Sequence, residues 1–128
     1  MQHIKTIKTE AVIEGLTKAV LVTIETDHDD VDFSYWDKDL AKETERDLAR
    51  GAVSCVWVNV RASFVELNHI EGADSLGQVF LRGSHDSAIK DLKQTVKTHD
   101  MVKNAIEALI SNTLNQRSQI DTFLTKAA

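Results

Sequence analysis

The sequence predicts an α+β domain: a four-stranded antiparallel sheet in the order strand, strand, helix, strand, strand, helix, helix, with the helices packed on one face. Three observations carry this expectation. In the stretch from Gly51 to Leu81, Val56, Val58, Val60, Ala62 and Phe64 alternate with Cys55, Trp57, Asn59, Arg61 and Ser63, the period-two pattern of a strand with two unlike faces. Two β-branched segments near the N-terminus are separated by Glu14-Gly15, a turn signal. Beyond Gly83 the apolar spacing changes from two to three and four, the period of a helix.

Taken in order, Ile4 to Glu14 reads as a half-buried strand, with Ile7, Thr9, Ala11 and Ile13 alternating with charged residues. Ala19 to Glu25, rich in β-branched residues, pairs back on it as a hairpin. The acidic segment from Thr26 to Asp39 reads as a surface loop anchored by Phe33, Tyr35 and Trp36. Asp37 or Ser34 caps the next helix, a short and mostly solvated one with a thin stripe of Leu40, Ala41, Thr44 and Leu48, and Gly51 ends it with positive φ. A central hairpin follows, Ala52 to Glu66 and Ser75 to Arg82, joined by the segment 67–74 with Gly72 as its flexible point and Gly77 marking a bulge. Ser84 or Asp86 caps a helix carrying Ile89, Leu92 and Val96. Asp100 caps a longer one carrying Val102, Ala105, Ile106, Leu109, Ile110 and Thr113, with Ile120, Phe123 and Leu124 continuing its stripe.

At 128 residues the chain is expected to form one domain, residues 1–128. Hydrophobic and charged fractions of 42% and 27% fit an ordinary folded domain and argue against disorder. The single cysteine, Cys55, precludes an internal disulfide and sits in an apolar strand, where it reads as a core residue rather than a nucleophile. No apolar run reaches the ~20 residues of a membrane helix, and the first twenty lack the hydrophobic stretch of a secretory signal, so the expected location is the cytoplasm.

Charge is unevenly placed. Residues 25–47 hold ten of the 20 acidic residues against three basic ones, a field that repels nucleic-acid phosphate and favours a basic partner. Clustered carboxylates also suit hard cations, but the loop from Asp27 lacks a calcium loop's ligand order: Asp32 stands where a glycine makes the turn and Lys38 where a bidentate glutamate belongs. His3, His28, His69, His85 and His99 show no helical i, i+4 pair for zinc. Around Ser75 the glycines miss the spacing of a nucleophile elbow, and Glu66, Glu71 and Asp74 form a second acidic group whose polar neighbours argue for exposure. Glycine-rich phosphate loops are missing too, so neither metal nor cofactor is expected. Lys90, Lys93, Lys97 and Lys103 lie near one side of the last two helices, but interleaved acids and missing aromatics make them a solvated face rather than a nucleic-acid site.

The Arg50-Gly51 pair ahead of the valine-rich strand, followed by Ile70-Glu71-Gly72-Ala73-Asp74-Ser75-Leu76-Gly77, resembles a pattern of small accessory proteins of bacteriophages and other mobile elements. The resemblance implies an accessory protein of a class that includes inhibitors of host defence, anti-CRISPR proteins among them, and it carries over no catalytic residue. The expected function is therefore non-enzymatic. Asp27, Asp29, Asp30, Asp32, Asp37, Asp39 and Glu43, with Tyr35 and Trp36 as anchors, would meet the basic, nucleic-acid-binding surface of a larger host protein or nucleoprotein complex, with no direct contact to nucleic acid or membrane. Two alternatives stand beside it. One is a small metal-dependent enzyme or binding domain built on His28 and its aspartates, or on the turn from Glu66 to Ser75. The other is a structural subunit that forms a homodimer through the C-terminal helix.

Overall fold

The computed structural model describes residues 2–127, with side chains from Lys5 to Lys126. Strands β1 (Gln2–Ile13), β2 (Leu16–His28), β3 (Val53–Phe64) and β4 (Leu67–Arg82) form one antiparallel meander in the order β1-β2-β3-β4. Helix α1 (Lys38–Ala49) interrupts the meander between β2 and β3, while α2 (His85–Thr98) and α3 (Met101–Ala127) follow it. The α+β order read from the sequence is the observed one.

Both hairpins close in two residues. Glu14 and Gly15 each have positive φ, 51° and 81°, the handedness that matches the twist of the paired strands. Ile13 and Leu16 face each other across that turn, and Phe64 and Leu67 do so across Val65-Glu66. The strands consequently run further than the sequence pattern suggests: β2 begins at Leu16, not Ala19, and β4 begins at Leu67, not Ser75. The expected connecting segment 67–74 is a strand because Phe64 and Ala62 have to find backbone partners, and Leu67 and Gly72 supply them.

The core lies where the two central strands meet the helices. Val20, Val22 and Ile24 of β2 and Val58, Val60, Ala62 and Phe64 of β3 are buried, and they share a cluster with Leu92 and Val96 of α2 and Met101, Ala105 and Leu109 of α3. In-register neighbours such as Val22 with Ala62 and Ile24 with Val60 point to the same face, so the period-two pattern becomes one continuous apolar layer. The caps follow the sequence: Asp37 accepts from the Leu40 amide, Ser84 from the Ser87 amide, and Gly51 has φ 75° behind α1. Asp100 takes φ 49°, and its carbonyl accepts the first bond of α3 from the Asn104 amide.

Gly72 is not a flexible point. It is buried beneath α3, and a Cβ there would run into the backbone of Ala105 and Leu109. On either side, Asn104 Nδ2 donates to Asp74 Oδ2 at 3.0 Å and Asn112 Nδ2 donates to the Glu71 carbonyl at 2.8 Å, clamping the helix along β4. Arg82 holds α2 in the same way through a bidentate pair with Asp91. No helix among the described residues is long and apolar enough to cross a membrane.

Gly72→Ala should cost about 3 kcal/mol or more in urea unfolding, because the helix backbone has to lift from the strand. Gly15→Ala, strained only by its positive φ in open space, should cost about 1 kcal/mol. Equal costs would show that α3 does not press on β4.

Candidate functional site

The acidic segment leaves β2 at His28 and crosses to α1 over the end of the sheet, against the start of β3 and the end of β4. Its anchorage is a β-bulge. Trp57 of β3 lies between the pairs Val56–Val79 and Val58–Leu76, so Gly77 and Gln78 together oppose one residue, and Gln78 adopts φ 55°. Gly77 has no room for a side chain because the Trp57 indole fills that space. The bulge turns the Gln78 amide out of the ladder, and the loop uses it.

Asp29 Oδ2 accepts from the Gln78 backbone N–H at 2.7 Å and from Gln78 Nε2 at 3.0 Å. Gln78 Nε2 also donates to the Asp30 carbonyl, and Gln78 Oε1 accepts from the Asp32 amide at 3.3 Å. One side-chain amide thus fastens three positions of the loop, Asp29, Asp30 and Asp32. The two donors on its carboxylate hold Asp29 below the usual value of 3.8, chiefly through the Gln78 backbone bond. Asp32 is lowered as well, by bonds from the Ser34 hydroxyl and amide.

The three rings divide their work. Trp36 is half-buried between Phe33, at a centroid distance of 5.0 Å, and Phe80 of β4, at 5.9 Å, both edge-on. Tyr35 points away, 97% exposed. Trp36, expected beside Tyr35 as a docking anchor, therefore belongs to the support beneath the loop. Leu48 of α1 closes a recess of about 400 Å³ with Phe33, Val31 and Cys55. The Cys55 thiol is buried, and its pKa is pushed up by that burial and then by the Asp29 and Asp30 charges, so the thiolate is disfavoured as a nucleophile.

Comparison with protein-family models, with curated proteins and with solved structures returned no match.

Each acidic residue singled out in the sequence can now be placed. Asp29, Asp32 and Asp37 serve the fold: a bulge clamp, a turn cap and a helix cap. Asp27 is exposed and accepts from the His28 amide, and Asp30, with its side chain 98% exposed, pairs with His28 Nε2 at 3.0 Å. Asp39 and Glu43 are exposed on the first turns of α1. Of the wider acidic stretch, Glu25 is spent on Arg61 and Asp47 on Arg50. Among the described residues no arginine or lysine forms an ion pair with Asp27, Asp30, Asp39 or Glu43.

The other constellations do not converge. Among the described residues no three His, Cys, Asp or Glu side chains come together closely enough for a metal ion. His28 faces Asp30 while Asp29 turns to Gln78, which separates the ligands that the metal alternative requires; His3 lies outside the described side chains. Ser75 Oγ donates to Asn59 Oδ1 on β3, and Asp74 reaches the Ser75 amide and Asn104, so the segment around Ser75 is a strand rather than a catalytic turn. Gln78 is the residue that sequence reading missed. Gly77 signalled the bulge, but nothing in the sequence shows which loop a bulge amide will hold.

The Asp29 clamp is ionised at neutral pH. Because its folded-state pKa is depressed, its contribution to stability is complete above the ordinary carboxylate value and is lost as pH falls through the lower folded value. The Gln78 amide proton shift should therefore titrate with a midpoint below 3.8. Asp29→Asn should abolish that titration and lower the melting temperature at neutral pH. A Gln78 amide indifferent to pH would contradict the clamp.

Proposed function

We propose that this chain is a protein-binding module that docks the loop and first turns of α1 on a cationic surface of a larger partner. The observation that supports the reading is the division of labour in the acidic segment. Scaffold carboxylates and the Trp36 cluster hold the loop in place, while Tyr35 stands out of it in the same segment of chain as Asp27, Asp30, Asp39 and Glu43, which among the described residues no arginine or lysine pairs. An exposed tyrosine on a pre-ordered loop gives contact area at little entropic cost, and surrounding carboxylates steer and orient a basic partner. Such carboxylates can occupy the positions that phosphates take on a nucleic-acid-binding protein. In the setting implied by the resemblance to mobile-element accessory proteins, the partner is a component of host defence.

Affinity capture from the native cell tests this. The wild-type chain should recover a basic protein, Asp30→Lys with Asp39→Lys and Glu43→Lys should lose it, and Tyr35→Ala should weaken it by roughly tenfold or more. Raised ionic strength should slow association more than it speeds dissociation. Recovery of the same protein by wild type and triple variant alike would sink the reading.

A second reading rests on the far end of α3. Ile120, Phe123 and Leu124 lie at i, i+3 and i+4 and are all exposed, with Phe123 at 68%. Arg117 holds the preceding turn to Glu14 of the first hairpin, at 2.6 Å and 2.7 Å. A second copy laid against this stripe would form a homodimer. Light scattering over a dilution series should then show a dimer that Phe123→Glu converts to monomer with unchanged circular dichroism, and a monomeric wild type would refute it.

A further inference from the structure

The lysines that the sequence leaves as a solvated face acquire a different setting in the fold. Helices α2 and α3 lie over β3 and β4, held there by Gly72, the two asparagine clamps and the Arg82–Asp91 pair. The helix layer therefore stops short of the β1 edge. What remains is an open trough of about 590 Å³ between the sheet edge and the helices, floored by Ile7 and Ile24 and walled by Val96, Val102 and Ile106. Lys5 of β1, Lys93 and Lys97 of α2 and Lys103 of α3 stand around it. All four are exposed, and among the described residues none has an ion-pair partner in the chain; Asp100 and Glu107, also at the rim, leave the trough net cationic.

We propose that this trough binds an acidic amphipathic helix of a protein partner. An added helix laid along the open β1 edge, over Ile7, would lie beside α3 and extend the helix layer. Its apolar stripe would cover Ile7, Val102 and Ile106, and carboxylates flanking that stripe would reach the lysines on both sides. Ammonium groups spread over three elements match several carboxylates along a helix better than the single headgroup of a fatty acid. The concave shape also opposes a flat bilayer, which would touch the lysines and leave the apolar floor uncovered. This inference uses none of the residues of the acidic loop, so the two surfaces stand or fall separately.

The probe is a synthetic helical peptide of about 15 residues with leucines on one face and glutamates flanking them, set against the same peptide with lysines for glutamates. Nuclear magnetic resonance titration of the intact chain should move the methyl signals of Ile7, Val102 and Ile106 with the acidic peptide only. Lys93→Glu with Lys97→Glu should weaken binding by roughly tenfold or more, and Ile106→Gln should weaken it at unchanged salt dependence. Equal response to both peptides, no response at about millimolar peptide, or saturation by dodecanoate or anionic phosphatidylserine vesicles that the peptide fails to displace would overturn the proposal.

Discussion

The close approach of α3 to β4 at Gly72 sets the position of everything else on the helix-bearing face. A side chain at that position would hold the helix backbone away from the strand, and the glycine lets it settle until Asn104 and Asn112 bond to Asp74 and the Glu71 carbonyl. With α3 fixed so far toward one edge, Met101, Ala105 and Leu109 bury the valines of the central strands, and the side chains near the opposite edge are left with a partial cover. The trough beside β1 is thus a consequence of where the helix is locked. It is not a packing failure, since the core beneath it is closed: Val22, Val58 and Val60 are fully buried.

A second constraint organises the other end of the molecule. The bulge at Gly77-Gln78 exists because Trp57 occupies the space where a regular ladder would put a side chain, and its cost is an amide turned away from its strand partner. The acidic loop satisfies that amide through Asp29, and the glutamine side chain reaches back to hold Asp30 and Asp32. Strand irregularity and loop path are one structure. The same bonds explain why a stretch with so many like charges keeps one shape: Asp29 and Asp32 each accept two hydrogen bonds on the carboxylate and Asp37 accepts one from the Leu40 amide, which offsets part of the mutual repulsion.

Charge in this protein is thereby segregated by fold rather than merely by sequence. Among the described residues, carboxylates that no arginine or lysine pairs share the loop and the start of α1 with the exposed Tyr35, while lysines without an ion-pair partner from β1, α2 and α3 ring an apolar hollow. In the two binding proposals each surface pairs a field with a patch for close contact, the combination that gives both steering and specificity in protein association. Among the described residues nothing comparable surrounds Cys55, which is packed in the interior, or Ser75, which bonds across the strands to Asn59.

Period and punctuation in the sequence determined the elements and their order. Alternating valines defined β3, Glu14-Gly15 the first hairpin, Asp37 and Ser84 the helix starts and Gly51 a helix end, because each acts through neighbours a few residues away. The start of β4, the burial of Gly72, the service of Asp29 to Gln78 and the joining of Lys5 to Lys97 across one hollow were settled only by tertiary structure. Those features depend on which residues distant in the chain meet. A glycine reads alike whether it must bend or must be overlain, and a carboxylate reads alike whether it faces water or a backbone amide, until the partner arrives from another element.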